Sequence, residues 1–481
     1  MRVSGPGGSA GRRAALMSKR LMAAGVAEDR PPEREIVPRP DRDRAPLSPA
    51  QHATWAAHRA DVTGAAYNVC IHLAIEGELD VPALRAALLS LVARHEVLRT
   101  RYPLDRDGRP YQRIDPAPED AERLTPLVDL PGGGSAERLI SELAGHRFDL
   151  AEEWPLRAVI FRDAGEGAYG LVLAVHHIVW DGGCWPVISA ELSLGYALAT
   201  GASDRAPEPL TLQYGDVAAA RASAPARPAD QEYWRRQLAG LPGPLPLPAD
   251  EAASAEPGVG GRRSILLDAA ETRSVTTLAG ERRVTVFAVV LAAFGALLYR
   301  HCGRVDLPIG SAAMNRDGAA LRALVGNFGN TLVLRLDCSG DPSFVELVDR
   351  ADRVSGDGLD HQDMPYRDVV AQQRPDGDPF NVRLLYLAQG MAGPVFPGLR
   401  TSWRNIHNGT YQHDLAVEIF LVDGQMRVEA TYAARLFSPA RVDELLADFR
   451  RLLAKVTEEP QMRLSGLSER HTLSRRGVAI Y

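Results

Sequence analysis

The run Tyr169-Gly170-Leu171-Val172-Leu173-Ala174-Val175 is apolar without a break, too short for a helix and bounded by glycine, so it reads as a buried strand. It leads straight into His176-His177-Ile178-Val179-Trp180-Asp181-Gly182-Gly183. A chain carrying this run must bury a sheet, and one core strand of that sheet must end on two histidines where a loop begins. Such an end suits chemistry: the strand holds a base rigidly, while the glycine pair lets a ligand approach the main chain.

The surrounding segments extend the pattern. Ser48, Pro49, Gln51 and Trp55 open a capped helix, residues 67–75 read as a strand, and residues 81–95 carry Leu84, Ala87, Leu88, Leu91 and Val92 at helical spacing. Residues 148–161 lead to the histidine strand, and 185–198 read as the helix after it. The order β, α, β, β, α fits a mixed sheet with helices packed on it. Pro- and Ala-rich stretches at 223–228 and 241–248 mark a crossing, after which the theme returns. There, 285–299 and 440–456 are helical, and 307–313, 330–336, 382–387 and 426–432 are strands.

A chain of 481 residues exceeds what one core commonly serves, so two or three domains are expected. The two similarly built halves, 46–222 and 223–468, suggest a pseudo-dimer with a cleft between them. Residues 1–45 read as a flexible leader, with linker composition at 30–46, and 469–481 as a tail. Residues 14–26 could make one short helix, so the leader reads either as a docking helix for a partner or as a disordered extension, with Met1 an upstream start chosen instead of Met17 or Met22. A net charge of -6 gives no reason to expect nucleic acid as a partner, and no apolar stretch is long enough to expect a membrane span. Cys70, Cys184, Cys302 and Cys338 are scattered, with neither zinc spacing nor a disulfide framework, which points to a reduced, cytoplasmic protein.

Acyl transfer to an amine or alcohol needs the nucleophile's proton managed and the developing oxyanion stabilised. His176 and His177 leave an extended strand on opposite faces, so only one can face a cleft. His177 is the candidate base, and His176 is expected to point into the body of the protein. Asp181 is expected to be structural, accepting hydrogen bonds under the histidines or pairing with an arginine. The Gly182 N–H is the candidate oxyanion donor. A covalent route through Cys184 competes with the simpler reading of a buried core thiol. Paired histidines also occur as metal ligands or satisfied core groups, although adjacent residues on opposite faces chelate one metal poorly, so no metal is expected.

The run matches the HHxxxDG signature of nonribosomal peptide synthetase condensation domains, members of the chloramphenicol acetyltransferase-like superfamily. Leu47-Ser48-Pro49-Ala50-Gln51 with Trp55 resembles the family's opening motif, and residues 94–102, from Arg94-His95-Glu96 to Tyr102, its second. Gln213-Tyr214-Gly215-Asp216 and residues 233–238 are similar to the stretch after the histidines. Ile309-Gly310 through Asn315-Arg316, with residues 325–331, resemble the fifth motif, and residues 361–366 the sixth. The motifs stand in the family's order over roughly 45–468.

The resemblance implies an α/β (α+β sandwich) fold of two acetyltransferase-like subdomains in a V, with a tunnel at their junction. It implies no cofactor of the chain's own. The substrate arrives on the phosphopantetheine of a partner peptidyl or aryl carrier protein, and an amine or alcohol acceptor enters from the other side. His177 then positions or deprotonates the acceptor, and Arg316 is the salt-bridge partner of Asp181. Gly183, Cys184 and Trp185, where the family has Trp-Ser, together with Asn330 and Thr331, are expected along the tunnel and shaped for unusual partners. The seventh motif is reduced to Pro375-Asp376-Gly377-Asp378-Pro379.

No adenylation, carrier or thioesterase pattern accompanies these motifs, so the expectation is a free-standing condensation enzyme forming an amide or ester in natural-product biosynthesis. An acyltransferase of the same fold with a coenzyme A donor, an epimerisation domain and a non-catalytic carrier-recruiting scaffold are the competing readings. The intact His176, His177, Asp181, Gly182 and Arg316 weigh against the scaffold, and residues 325–331 against epimerisation. Trp180 and Arg94-His95-Glu96 read as structural, and Asp349 with Arg353 as a solvated helix side.

Overall fold

A computed structural model describes residues 36–131, 134–163, 168–250, 253, 255–373, 379–387, 392–422 and 424–467. The helix expected over 14–26, residues 375–378 of the reduced motif and the 469–481 tail lie outside the described residues.

The apolar run does form a core strand, Ala168–His176, at the centre of a five-stranded sheet. The order across that sheet is Arg400–Ile406, Asn68–Glu76, Ala168–His176, Leu156–Asp163, Leu127–Leu130, antiparallel except for the last pair. Leu171 to Val175 are buried without alternation, because both faces of the sheet are covered. Gly170 is needed there: the Phe161 ring lies over it, and a methyl group would stand 2.2 Å from the ring.

A six-stranded mixed sheet follows, in the order Asn330–Asp337, Asp306–Ala313, Val382–Leu387, Leu415–Val422, Gln425–Ala433, Gly260–Leu267. Its core face packs on helices Val286–Cys302 and Pro439–Glu458. Thr285 caps the first of these helices and Ser438 the second, each side chain accepting from a backbone N–H of the first turn. These helix starts fall one residue from where periodicity placed them. The α/β class read from the sequence is the class observed.

Two features depart from the local pattern. Arg400–Ile406 pairs with Asn68–Glu76, so a strand from the second half completes the first half's sheet. Residues 38–46, read as linker, are instead fixed. Arg39 is buried, with its guanidinium on Asp216 at 2.9 Å and Glu96 at 2.7 Å, and Arg44–Pro46 pairs with Tyr111–Ile114 in a small three-stranded sheet. Linker-like composition concealed partners more than fifty residues away. Among the described residues no single helix is long and apolar enough to cross a membrane.

Candidate active site

The two histidines that end the core strand meet different fates. His176 is fully buried. Its Nδ1 accepts from the Ile178 N–H at 3.1 Å, which leaves the ring proton on Nε2, and Nε2 donates to Nδ1 of His58 at 3.2 Å. Burial pushes this imidazole well below the ordinary histidine range, with further lowering from His58 and His177. It is a neutral packing group with both nitrogens used.

His177 turns the other way and stays partly exposed. Its N–H donates to the Tyr67 carbonyl at 2.7 Å, and its own carbonyl accepts from the Trp180 N–H at 3.2 Å, closing the one-turn 3-10 helix His177–Val179. Burial lowers the His177 pKa below its usual 6.5, the Arg383 charge lowers it further, and Asp181 opposes both. The ring is therefore neutral at pH 7 and able to accept a proton.

Asp181 spends its carboxylate on the loop rather than on the histidines. Oδ1 accepts from the Gly183 N–H at 2.8 Å and from Arg316 Nη2 at 2.7 Å, and Oδ2 accepts from the Phe328 N–H at 2.8 Å. Arg316 also donates from Nη1 to the Leu321 and Leu324 carbonyls and from Nη2 to that of Gly326, and it lies 4.1 Å over the Phe328 ring. Both partners are buried, at 5% and 8% exposure, so removing one leaves a charge uncompensated at a cost of about 3–5 kcal/mol.

Motifs far apart in the sequence converge on residues 325–328. The Val325 N–H donates to Nδ1 of His95, the Gly326 N–H to Sγ of Cys184, and the Tyr214 hydroxyl to the Asn327 carbonyl. Asn327 Nδ2 reaches Thr54 Oγ1 at 3.0 Å, and Ser48 Oγ lies 2.8 Å from the Tyr214 hydroxyl. The opening helix, the His95 turn, the histidine loop and the Tyr214 helix thus hold one segment in place.

That network corrects the reading of Cys184 and Trp185 as tunnel lining. Cys184 and Trp185 are 0% and 1% exposed and begin the helix Cys184–Ala199 inside the protein. The Cys184 thiol donates to the Gly326 carbonyl at 3.3 Å and is pushed up to about 12, by burial first and Asp181 second, so it is no nucleophile. Gly183 is where the Arg316 guanidinium rests, since a methyl there would stand 2.7 Å from Nε. Asn330 is spent too: Nδ2 donates to the Gln362 and Met364 carbonyls, and Oδ1 accepts from the Tyr366 N–H. Thr331 stays partly exposed on its strand, and Trp180 is buried.

Gly182, partly exposed like Gly183, has different neighbours: a methyl on it would meet Leu387 Cδ2 at 3.3 Å and Met314 Sδ at 3.9 Å. Gly182 therefore packs close to Leu387, at the end of the strand Val382–Leu387. Its backbone N–H has no protein acceptor among the described residues, as an oxyanion donor requires. Sequence reasoning missed Arg383, whose charge reaches His177. The available signal was a single charged side chain inside an otherwise apolar and aromatic strand, residues 382–387. Among the described residues no cluster of three or more His, Cys, Asp or Glu is arranged to hold a metal.

Comparison with known proteins fits this geometry. The condensation-domain family model matches residues 41–474. The chain is 36% identical, over 91% of its length, to a Salinispora arenicola protein described as a probable non-canonical nonribosomal peptide synthetase, CymA, and 34% identical, over 92%, to a dimodular nonribosomal peptide synthase of Bacillus subtilis. It spans 6% and 19% of the lengths of those two relatives. Among solved structures it is similar to the X-domain from teicoplanin biosynthesis, with TM-score 0.78 and 26% identity, over 90% of this chain and 99% of that one. It is also similar to the first condensation domain of the calcium-dependent antibiotic synthetase in complex with a substrate analogue, with TM-score 0.76 and 25% identity, over 88% and 98%.

Proposed function

The chain belongs to the condensation-domain family, and from that premise we propose that it is an acyltransferase moving an acyl or aminoacyl group from a phosphopantetheine thioester to an amine or alcohol. Condensation domains act on substrates tethered to partner carrier domains and carry no cofactor of their own. In this reading residues 46–222 and 223–468 are the two acetyltransferase-like subdomains, trading the strand Arg400–Ile406, and donor and acceptor meet in a tunnel at their junction.

His177 takes the proton of the acceptor as its nitrogen or oxygen attacks the thioester carbonyl carbon. The new C–N or C–O bond forms, charge gathers on the carbonyl oxygen near the Gly182 N–H, and the C–S bond then breaks. The departing pantetheine sulfur receives the proton from His177. Asp181 and Arg316 keep the loop in register and touch no reacting atom.

One observation carries the proposal. His177 is the neutral, partly exposed base of a loop whose other polar side chains are committed to structure. The test is mass spectrometry of a loaded carrier protein, and of the matching acyl-coenzyme A, offered with amines and alcohols. Product from the carrier-loaded donor supports the reading, and product from coenzyme A alone makes it a coenzyme A-dependent acyltransferase. A second reading, a scaffold that recruits another protein, draws on the likeness to the X-domain seen in complex with OxyB. No product from either donor, together with capture of a partner enzyme of the same biosynthesis, would favour it.

A further inference from the structure

The face of the six-stranded sheet turned away from its core carries a charge that reaches His177. In Val382–Leu387, Val382 and Leu384 belong to the core, so Arg383, Leu385 and Leu387 point the other way, and Leu387 is the residue that meets Gly182. The same alternation brings Glu418, opposite Leu385, and Glu429, opposite Glu418, onto this face, with Arg262 on the adjoining strand.

The charges on this face do not balance. Glu429 is taken by Arg262 at 3.4 Å and Arg427 at 3.0 Å. Arg383 has no such partner: its Nε is buried without a hydrogen-bond acceptor, and no carboxylate stands within ion-pair distance of it among the described residues. Glu418 is the carboxylate that attracts it most, yet burial and Glu429 hold Glu418 toward its protonated form. The histidines that feel the Arg383 charge are held neutral, His413 down to about 3, by burial and then by Arg383. Arg383 is partly exposed, so a guanidinium without a paired carboxylate is open to a ligand, and its planar fork matches a carboxylate.

We propose that Arg383 is a specificity residue: it binds a free carboxylate on the acceptor, so that an amine bearing a carboxylate, such as an unactivated amino acid, is held with its amino group at His177. The inference rests on the acyl-transfer reading above and names the acceptor class within it. A neutral acceptor leaves the guanidinium unpaired, and the site rejects it for that reason.

The test offers the twenty amino acids, as free acids and as primary carboxamides, with one thioester donor, to wild type and to Arg383→Gln. The expected result is product from at least one acid, with kcat/KM at least tenfold below for its amide. Arg383→Gln should raise KM for the acid and abolish the preference for acid over amide. Equal use of acid and amide, or an equal fall in kcat for both in the variant, overturns the proposal. A binding readout stands apart from turnover: the His177 imidazole pKa, followed by NMR, should rise when an acid neutralises Arg383, and should not respond to the amide or in Arg383→Gln. No response to any acid overturns the inference, whereas a response without turnover keeps it and counts against the acyl-transfer reading instead.

Discussion

Replacing Gly183 by alanine tests the loop architecture with a single methyl group. Gly183 has φ -82° and ψ -8°, ordinary for any residue, so alanine brings no backbone strain and no lost flexibility of the folded state. Alanine's stiffer unfolded chain would by itself stabilise by about 0.4–1 kcal/mol, so any loss must come from space: the methyl would stand 2.7 Å from Nε, 2.9 Å from Cδ and 3.1 Å from Cζ of Arg316. A free arginine would swing aside at little cost. Arg316 is not free, because its guanidinium is fixed by the Leu321, Leu324 and Gly326 carbonyls and by Asp181. Overpacking of a fixed neighbour costs about 1–3 kcal/mol, and loss of the buried pair about 3–5 kcal/mol. The expected destabilisation is about 3 kcal/mol, read as a fall in the urea midpoint. In an Arg316→Met background the same substitution should cost under about 0.5 kcal/mol, since a thioether chain can yield. A Gly183→Ala protein as stable as wild type, or an equal loss in both backgrounds, would refute the account of Arg316 resting on Gly183.

Three further outcomes are expected. Cys184 should resist alkylation in the folded protein and react after unfolding, and Cys184→Ser should retain acyl transfer, as thiol-specific mass labelling and the product assay would show; native labelling with loss of activity would restore the covalent route. Stability should fall with acid, because His413 stays neutral in the fold down to about 3 while the unfolded chain protonates near 6.5. Between those values each unit of falling pH costs at most about 1.4 kcal/mol at this partly buried site, with further contributions from His72 and His407, so the urea midpoint should be lower at pH 5 than at pH 7, and less so in His413→Gln. His176→Ala should lower the unfolding midpoint, since it strands the Ile178 N–H and His58, and an unchanged midpoint would contradict its packing role.

Much of this arrangement is local and therefore legible. Ser48 and Gln51 cap the first helix reciprocally at 3.0–3.1 Å, as their spacing announces, and the unbroken apolar run could only be a covered strand. The opposite fates of His176 and His177 follow from strand geometry alone. Other features depend on contacts that sequence distance hides. Arg400–Ile406 joins Asn68–Glu76 across more than three hundred residues, and nothing in its own composition names that partner. Cys184 and Trp185 sit beside the motif in sequence, yet the helix they begin turns inward, so adjacency to a site was mistaken for access to it. Arg383 was overlooked because a strand read for its apolar pattern makes one arginine look like noise, when the reach of its charge to His177 is what singles it out.

The central claim is that His177 moves the acceptor's proton while the rest of the motif holds it in place. The most direct measurement is the rate of product formation by His177→Ala, with its urea midpoint determined on the same preparation. The account predicts a loss of at least about a hundredfold, within the usual range for a removed general base, with the midpoint close to wild type. An unchanged rate in a fully folded His177→Ala protein would contradict it.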